Sequence, residues 1–77
     1  MEGFDSDTIR AIISHNLRDL REASGQTDHA IALEAELTIN GYRVIECGRK
    51  EPNLYELVKI ACALKCTLND ILPISTE

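Results

Sequence analysis

The stretch TDHAIALEAELTINGYRVIEC, Thr27–Cys47, decides how the rest of the chain is read. It holds two short periodic segments with almost nothing between them. Thr27 offers a side-chain oxygen to cap a first helix, whose inner face is Ile31, Ala32 and Ala35. Glu36 and Leu37 make a turn, and Thr38 caps a second helix in which Tyr42 and Ile45 share one face. The opposite face carries Ile39, Asn40, Arg43 and Cys47, and Gly48 supplies a left-handed stop.

So short a connection forces the two helix axes to cross steeply, and the alanines of the first helix let them approach closely. That is the arrangement of a helix-turn-helix, whose second helix is able to enter the major groove of DNA. Working outward, DSDTIRAIISHNLRDLREASG (Asp5–Gly25) places Ile9, Ile13, Leu17 and Leu20 on one helical face. Asp5, Ser6 and Asp7 all offer cap oxygens there, and Gly25 stops the helix. Arg18 and Arg21 fall in its last turns, where positive charge suits the helix dipole. GRKEPN (Gly48–Asn53) is a loop. NLYELVKIACALK (Asn53–Lys65) opens with a capping box, Asn53 with Glu56, and carries an apolar stripe of Leu54, Leu57, Ile60, Ala61 and Leu64. TLNDIL (Thr67–Leu72) is a last short helix capped by Thr67, with Asp70 at its third position. The expected architecture is all-α: a compact five-helix bundle, one domain over 1–77, with its helix-turn-helix at about 27–47 and a tail at 73–77.

Composition agrees with a small aliphatic globule. The chain has 77 residues, 44% hydrophobic and 27% charged, with only Phe4, Tyr42 and Tyr55 as aromatics. A chain of this size buries about 60% of its unfolded surface, so its stability margin is thin. The cysteines, Cys47, Cys62 and Cys66, are odd in number and form no CxxC, and His15 and His29 lie at no zinc-finger spacing from them. A disulfide scaffold and a zinc site are therefore not expected, and the cysteines read as small hydrophobes in a reducing compartment. No metal or other cofactor is implied. No run approaches the length of a membrane span, and MEGFDSDT at the start lacks the basic and apolar parts of a signal peptide. A cytoplasmic location is the expectation. Carboxylates are plentiful but dispersed, with neither a nucleophilic triad nor a glycine-rich phosphate loop, so an enzyme is not expected.

The segment Asn16–Leu72 resembles the Cro/C1-type (Xre-like) helix-turn-helix family, whose fold is lambda-repressor-like. The resemblance rests on NLRDLREASG, on Ile31 and Ala32, on TINGYRVIECG, on PNLYELVKIACAL and on TLNDIL. It implies that Arg21 and Glu46 form an ion pair locking the first and third helices. It also implies that Thr38, Ile39, Asn40 and Arg43 face DNA, while Tyr42 and Ile45 face inward. The implied function is a sequence-specific, DNA-binding transcriptional regulator. The family commonly binds two-fold symmetric operators as a homodimer, with half-sites roughly 10 bp apart. Leu68, Ile71, Leu72 and Ile74 offer an apolar C-terminal edge for dimerisation.

Charge complicates this reading. The net charge is −5, whereas nucleic-acid binders are usually basic. Locally the distribution is uneven: Asp28, Glu34 and Glu36 make the second helix region acidic, while Arg43, Arg49 and Lys50 outweigh Glu46 in the third helix and its loop. Asp28 stands where the family often has glutamine near a phosphate, and Glu36 where it often has a turn glycine, so this turn is expected to be shaped differently. Each candidate contact has a plainer alternative. Arg43 fits the guanine edge, or is a solvated arginine; Asn40 fits adenine, or supports the helix start. Arg49 and Lys50 suit phosphates, or are an ordinary loop pair. The helix start at Asn53 and Leu54 is a phosphate seat, or simply a cap. Ile39 touches a thymine methyl, or is a lone exposed aliphatic. Gly41, which costs a helix about 1 kcal/mol relative to alanine, either is tolerated because neighbours hold the helix or admits close approach of DNA. The competing function is a protein-interaction module on the same fold, an antitoxin or phage-type regulator with little or no DNA binding, favoured by Asp28, Glu36 and the net charge.

Overall fold

Five side chains start five helices. Asp5 accepts the Thr8 amide at 2.8 Å and opens α1 (Ser6–Ser24). Thr27 accepts from Ala30 and opens α2 (Asp28–Glu34); Thr38 accepts from Gly41 and opens α3 (Ile39–Glu46). Asn53 opens α4 (Leu54–Leu64) through a reciprocal box with Glu56, and Thr67 opens α5 (Leu68–Ile71) through another with Asp70. Each cap satisfies amides that the first helical turn leaves without partners. The structure, a computed structural model, describes residues 5–73; among these there is no strand, and no helix is long and apolar enough to cross a membrane.

The stops are as local as the starts, with one departure from expectation. Gly25 and Gly48 take the left-handed conformation after α1 and α3, at φ 74° and 82°. Glu36 does the same after α2, at φ 60°. The turn keeps the shape a glycine would give it, contrary to the expectation drawn from Glu36. Two bonds require this: Leu37 N–H reaches Ala32 O at 2.9 Å, and Glu36 N–H reaches Leu33 O at 3.1 Å. That is the Schellman pattern, which closes only through a left-handed residue. The Glu36 carboxylate is then taken up by Lys59 of α4.

Packing follows the periodicity. Ile13 and Leu17 of α1, Ile31, Ala32 and Ala35 around α2, Tyr42 and Ile45 of α3, and Ile60, Ala61, Ala63 and Leu64 of α4 form one buried cluster. Ala32 and Ala35 let α3 lie close against α2. Ile71 completes the cluster, with no exposed surface, and Asn16 Nδ2 donates to its carbonyl at 2.8 Å. Two sequence expectations need correction. Leu54, placed in the α4 stripe, is 69% exposed, because the first residue of the helix lies beyond the end of the core. Ile71, offered as a dimer surface, is spent within the chain's own core, where so small a domain needs it. Leu72 also packs on that core, Leu68 is partly exposed, and Ile74 lies outside the described residues.

Candidate nucleic-acid interface

The short turn swings α3 across α2 and onto α1. Tyr42 and Ile45 point inward, so residues on the other side of α3 are turned to solvent by necessity. α3 is only 8 residues long, too short to be stable alone, and its position is set by what it packs against. Two links tie it to α1. Arg21 Nε and Nη2 both reach Glu46 Oε1 at 2.9 Å, and the Glu46 side chain is 10% exposed. Ser14, itself buried, donates its hydroxyl to the Glu46 carbonyl. Tyr42 lies beside this pair. Burial, then the nearby Glu46 carboxylate, push its phenol well above the ordinary range, so it stays protonated. Its oxygen has no hydrogen-bond partner among the described residues.

An open groove of about 450 Å³ runs between α1 and α3, lined by Arg18, Arg21, Asp28, Asn40, Arg43, Val44, Glu46, Cys47 and Arg49. Four arginines and one asparagine thus meet two carboxylates. Glu46 pairs with Arg21. Asp28, the first residue of α2, takes Arg43 Nε on its Oδ2 at 2.9 Å. That hydrogen bond holds the Asp28 carboxyl below its usual range. Arg18 and Arg49 have no carboxylate partner among the described residues.

The remaining candidates divide cleanly. Asn40 and Arg49 are exposed on the groove. Thr38 is exposed, but its hydroxyl is occupied as the α3 cap. Ile39 is partly buried and packs against the core, so it is not the lone exposed aliphatic of the sequence reading. Lys50 turns to α4, donating to Glu56 Oε2 at 2.7 Å, and holds that carboxyl below its ordinary range. Asn53 uses its side chain in the α4 capping box, which also occupies the Glu56 amide. Gly41 falls in the first turn of α3. A Cβ there would stand 2.9 Å from the Thr38 hydroxyl, the same oxygen that caps the helix. A side chain there would crowd the cap, although the Thr27 and Thr67 caps accommodate one at the same position, on Ala30 and Asp70.

Sequence reasoning missed Arg18 as a member of this groove. The signal was present: Ser14, Arg18 and Arg21 recur at helical spacing beside the apolar stripe, marking a polar edge turned toward α3. It also took Arg43 and Lys50 as free charges, although each has a carboxylate within reach. Cys47 and Cys62 are exposed and Cys66 is half-buried, so the cysteines do not behave uniformly as core hydrophobes. Burial pushes the Cys66 thiol up.

No protein-family model matches the chain, and the comparison with curated proteins gives no match either. Among solved structures, the clp gene regulator ClgR from C. glutamicum is similar, with a TM-score of 0.78 and 23% identity; the match covers 90% of this chain and 96% of that one. At this identity the likeness shows the fold alone: all-α and five helices, with α2 and α3 joined as a helix-turn-helix.

Proposed function

We propose that this chain is a Cro/C1-type, sequence-specific DNA-binding regulator of transcription that inserts α3 into the major groove. The observation that carries the reading is the groove face itself: Asn40 and Arg43 project from α3 beside Arg49 and Arg18, none of the four buried. Asn40 and Arg43 suit base edges by their amide and guanidinium geometry. Arg49 and Arg18 flank them and suit phosphates, which position a duplex without reading it. Lys50 is a weaker phosphate ligand because Glu56 already holds it. The acidic total lowers non-specific affinity and long-range attraction, and binding then depends on the local cationic edge. Dimeric binding to a two-fold operator is part of the same proposal and draws its support from the family resemblance. Of the apolar edge first suggested for it, only Leu68 is exposed among the described residues.

A second reading, a protein-interaction module, draws on a different face. Leu33 of α2 and Leu54, Tyr55 and Val58 of α4 are exposed apolar side chains. One experiment separates the two readings. Genomic fragments are selected with the purified protein, and binding to the enriched site is titrated at low and moderate salt. A DNA regulator gives a selected sequence and a steep fall of affinity with salt. A protein with no enrichment and no binding at low salt overturns the DNA-binding reading.

A further inference from the structure

We infer that Asp28 is a specificity-determining positioning residue, holding the Arg43 guanidinium by its inner nitrogen so that the outer fork is presented to a guanine. This deepens the DNA-binding reading and rests on it. Taken alone in the sequence, Asp28 looks hostile to DNA, a carboxylate where a phosphate would pass. The geometry gives it another use.

Three contacts fix the carboxylate. Oδ1 accepts the His29 backbone amide at 2.8 Å and faces His29 Nδ1 at 3.2 Å, and Oδ2 accepts Arg43 Nε at 2.9 Å. Asp28 sits at the start of α2, where the helix dipole favours a negative charge. It is anchored on one element while Arg43 rises from another. Asp28 engages Arg43 through Nε, the nitrogen nearest the side-chain stem. A guanidinium is a planar fork with five donors, and guanine offers two acceptors, O6 and N7, to its outer pair. Holding Nε fixes the plane and leaves that pair available. The Arg43 side chain is 52% exposed, so a base edge can reach it. A long side chain ordered before binding loses less freedom on binding.

The test is a single-base substitution series across the selected site, read for wild type, Arg43→Ala, Asp28→Ala and Asp28→Asn, with thermal melts of each protein. A bidentate arginine contact discriminates by roughly 5–150-fold at one base pair. Arg43→Ala is expected to flatten discrimination at one guanine position. Asp28→Ala is expected to flatten that same position at least about 3-fold, leave the other positions alone, and raise binding to unrelated DNA by removing a negative charge. Asp28→Asn keeps an acceptor oxygen and is expected to restore part of the pattern. The inference is overturned if Asp28→Ala raises binding to all sequences alike with the pattern intact. It also falls if Arg43→Ala changes no position, an outcome that leaves DNA binding itself standing. Wild-type protein that binds no DNA at low salt overturns both this inference and the functional reading beneath it.

Discussion

Two arginine–carboxylate pairs flank α3, and they share one chemistry and one distance. Arg21 meets Glu46 at 2.9 Å with side chains 25% and 10% exposed; Arg43 meets Asp28 at 2.9 Å with side chains 52% and 28% exposed. Water decides what each can do. At Glu46 the carboxylate is largely buried between α1 and α3, so losing Arg21 strands a mostly desolvated charge. At Asp28 water replaces either partner at little cost. The inner pair sets the angle of α3 against α1. The outer pair orients one side chain without holding the fold. The pair that ties α3 to α1 and the pair proposed to orient Arg43 thus differ in burial, not in bond length.

The largest effect that would break this comparison is at the inner pair. Arg21→Ala is expected to destabilise the fold by about 3 kcal/mol, because breaking a buried pair leaves an uncompensated charge. Urea denaturation measures it, and an unchanged midpoint would erase the distinction between the pairs. At the outer pair the expectation reverses. Arg43→Ala leaves the denaturation midpoint nearly where it was and removes roughly 1–3 kcal/mol of affinity for the preferred site. Loss of folding instead would make both pairs structural. Arg49→Ala sharpens the contrast between reading and holding. It weakens binding evenly across sequences and lowers the slope of log affinity against log salt by about 1. A change in base preference would show Arg49 reading the sequence.

Acid probes the exposed pairs together. Hydrogen bonds from Arg43, Lys59 and Lys50 hold the carboxyls of Asp28, Glu36 and Glu56 below their ordinary values of 3.8, 4.5 and 4.5. A depressed folded value means that the unfolded chain binds protons first. The stabilisation is therefore complete above the ordinary carboxylate range and is lost as pH falls through the depressed values. Denaturation midpoints should be flat from neutral to mildly acidic pH and then decline, less steeply for Asp28→Asn. A rise on acidification would contradict the pairing. The smallest effect is expected at Gly41→Ala, where a gain in helix propensity of up to about 1 kcal/mol is offset by crowding of the Thr38 cap. If this variant instead loses DNA affinity with stability unchanged, close approach of the backbone to DNA is the better explanation of the glycine.

Much of the fold could be read directly. Asp5, Thr27, Thr38, Asn53 and Thr67 act within a few residues of themselves, so their capping is visible in one dimension. Ile13, Leu17, Ile31, Tyr42 and Ile45 were legible because helical periodicity turns spacing into a face. Leu54 and Ile71 were misplaced for a common reason. Periodicity says which side of a helix a residue is on, but not how far the core extends along it, nor which apolar residues it consumes.

The sequence by itself determined roughly where each helix lies, which faces are apolar, and that a short turn joins the two central helices. These are properties of neighbours along the chain. Only the tertiary structure decided which charges are free. Asp28 and Arg43 lie on different helices, Glu36 of the turn after α2 meets Lys59 of α4, and Coulomb attraction acts through space. The number of exposed cations on the groove follows from where the helices cross, and no count along the chain contains it.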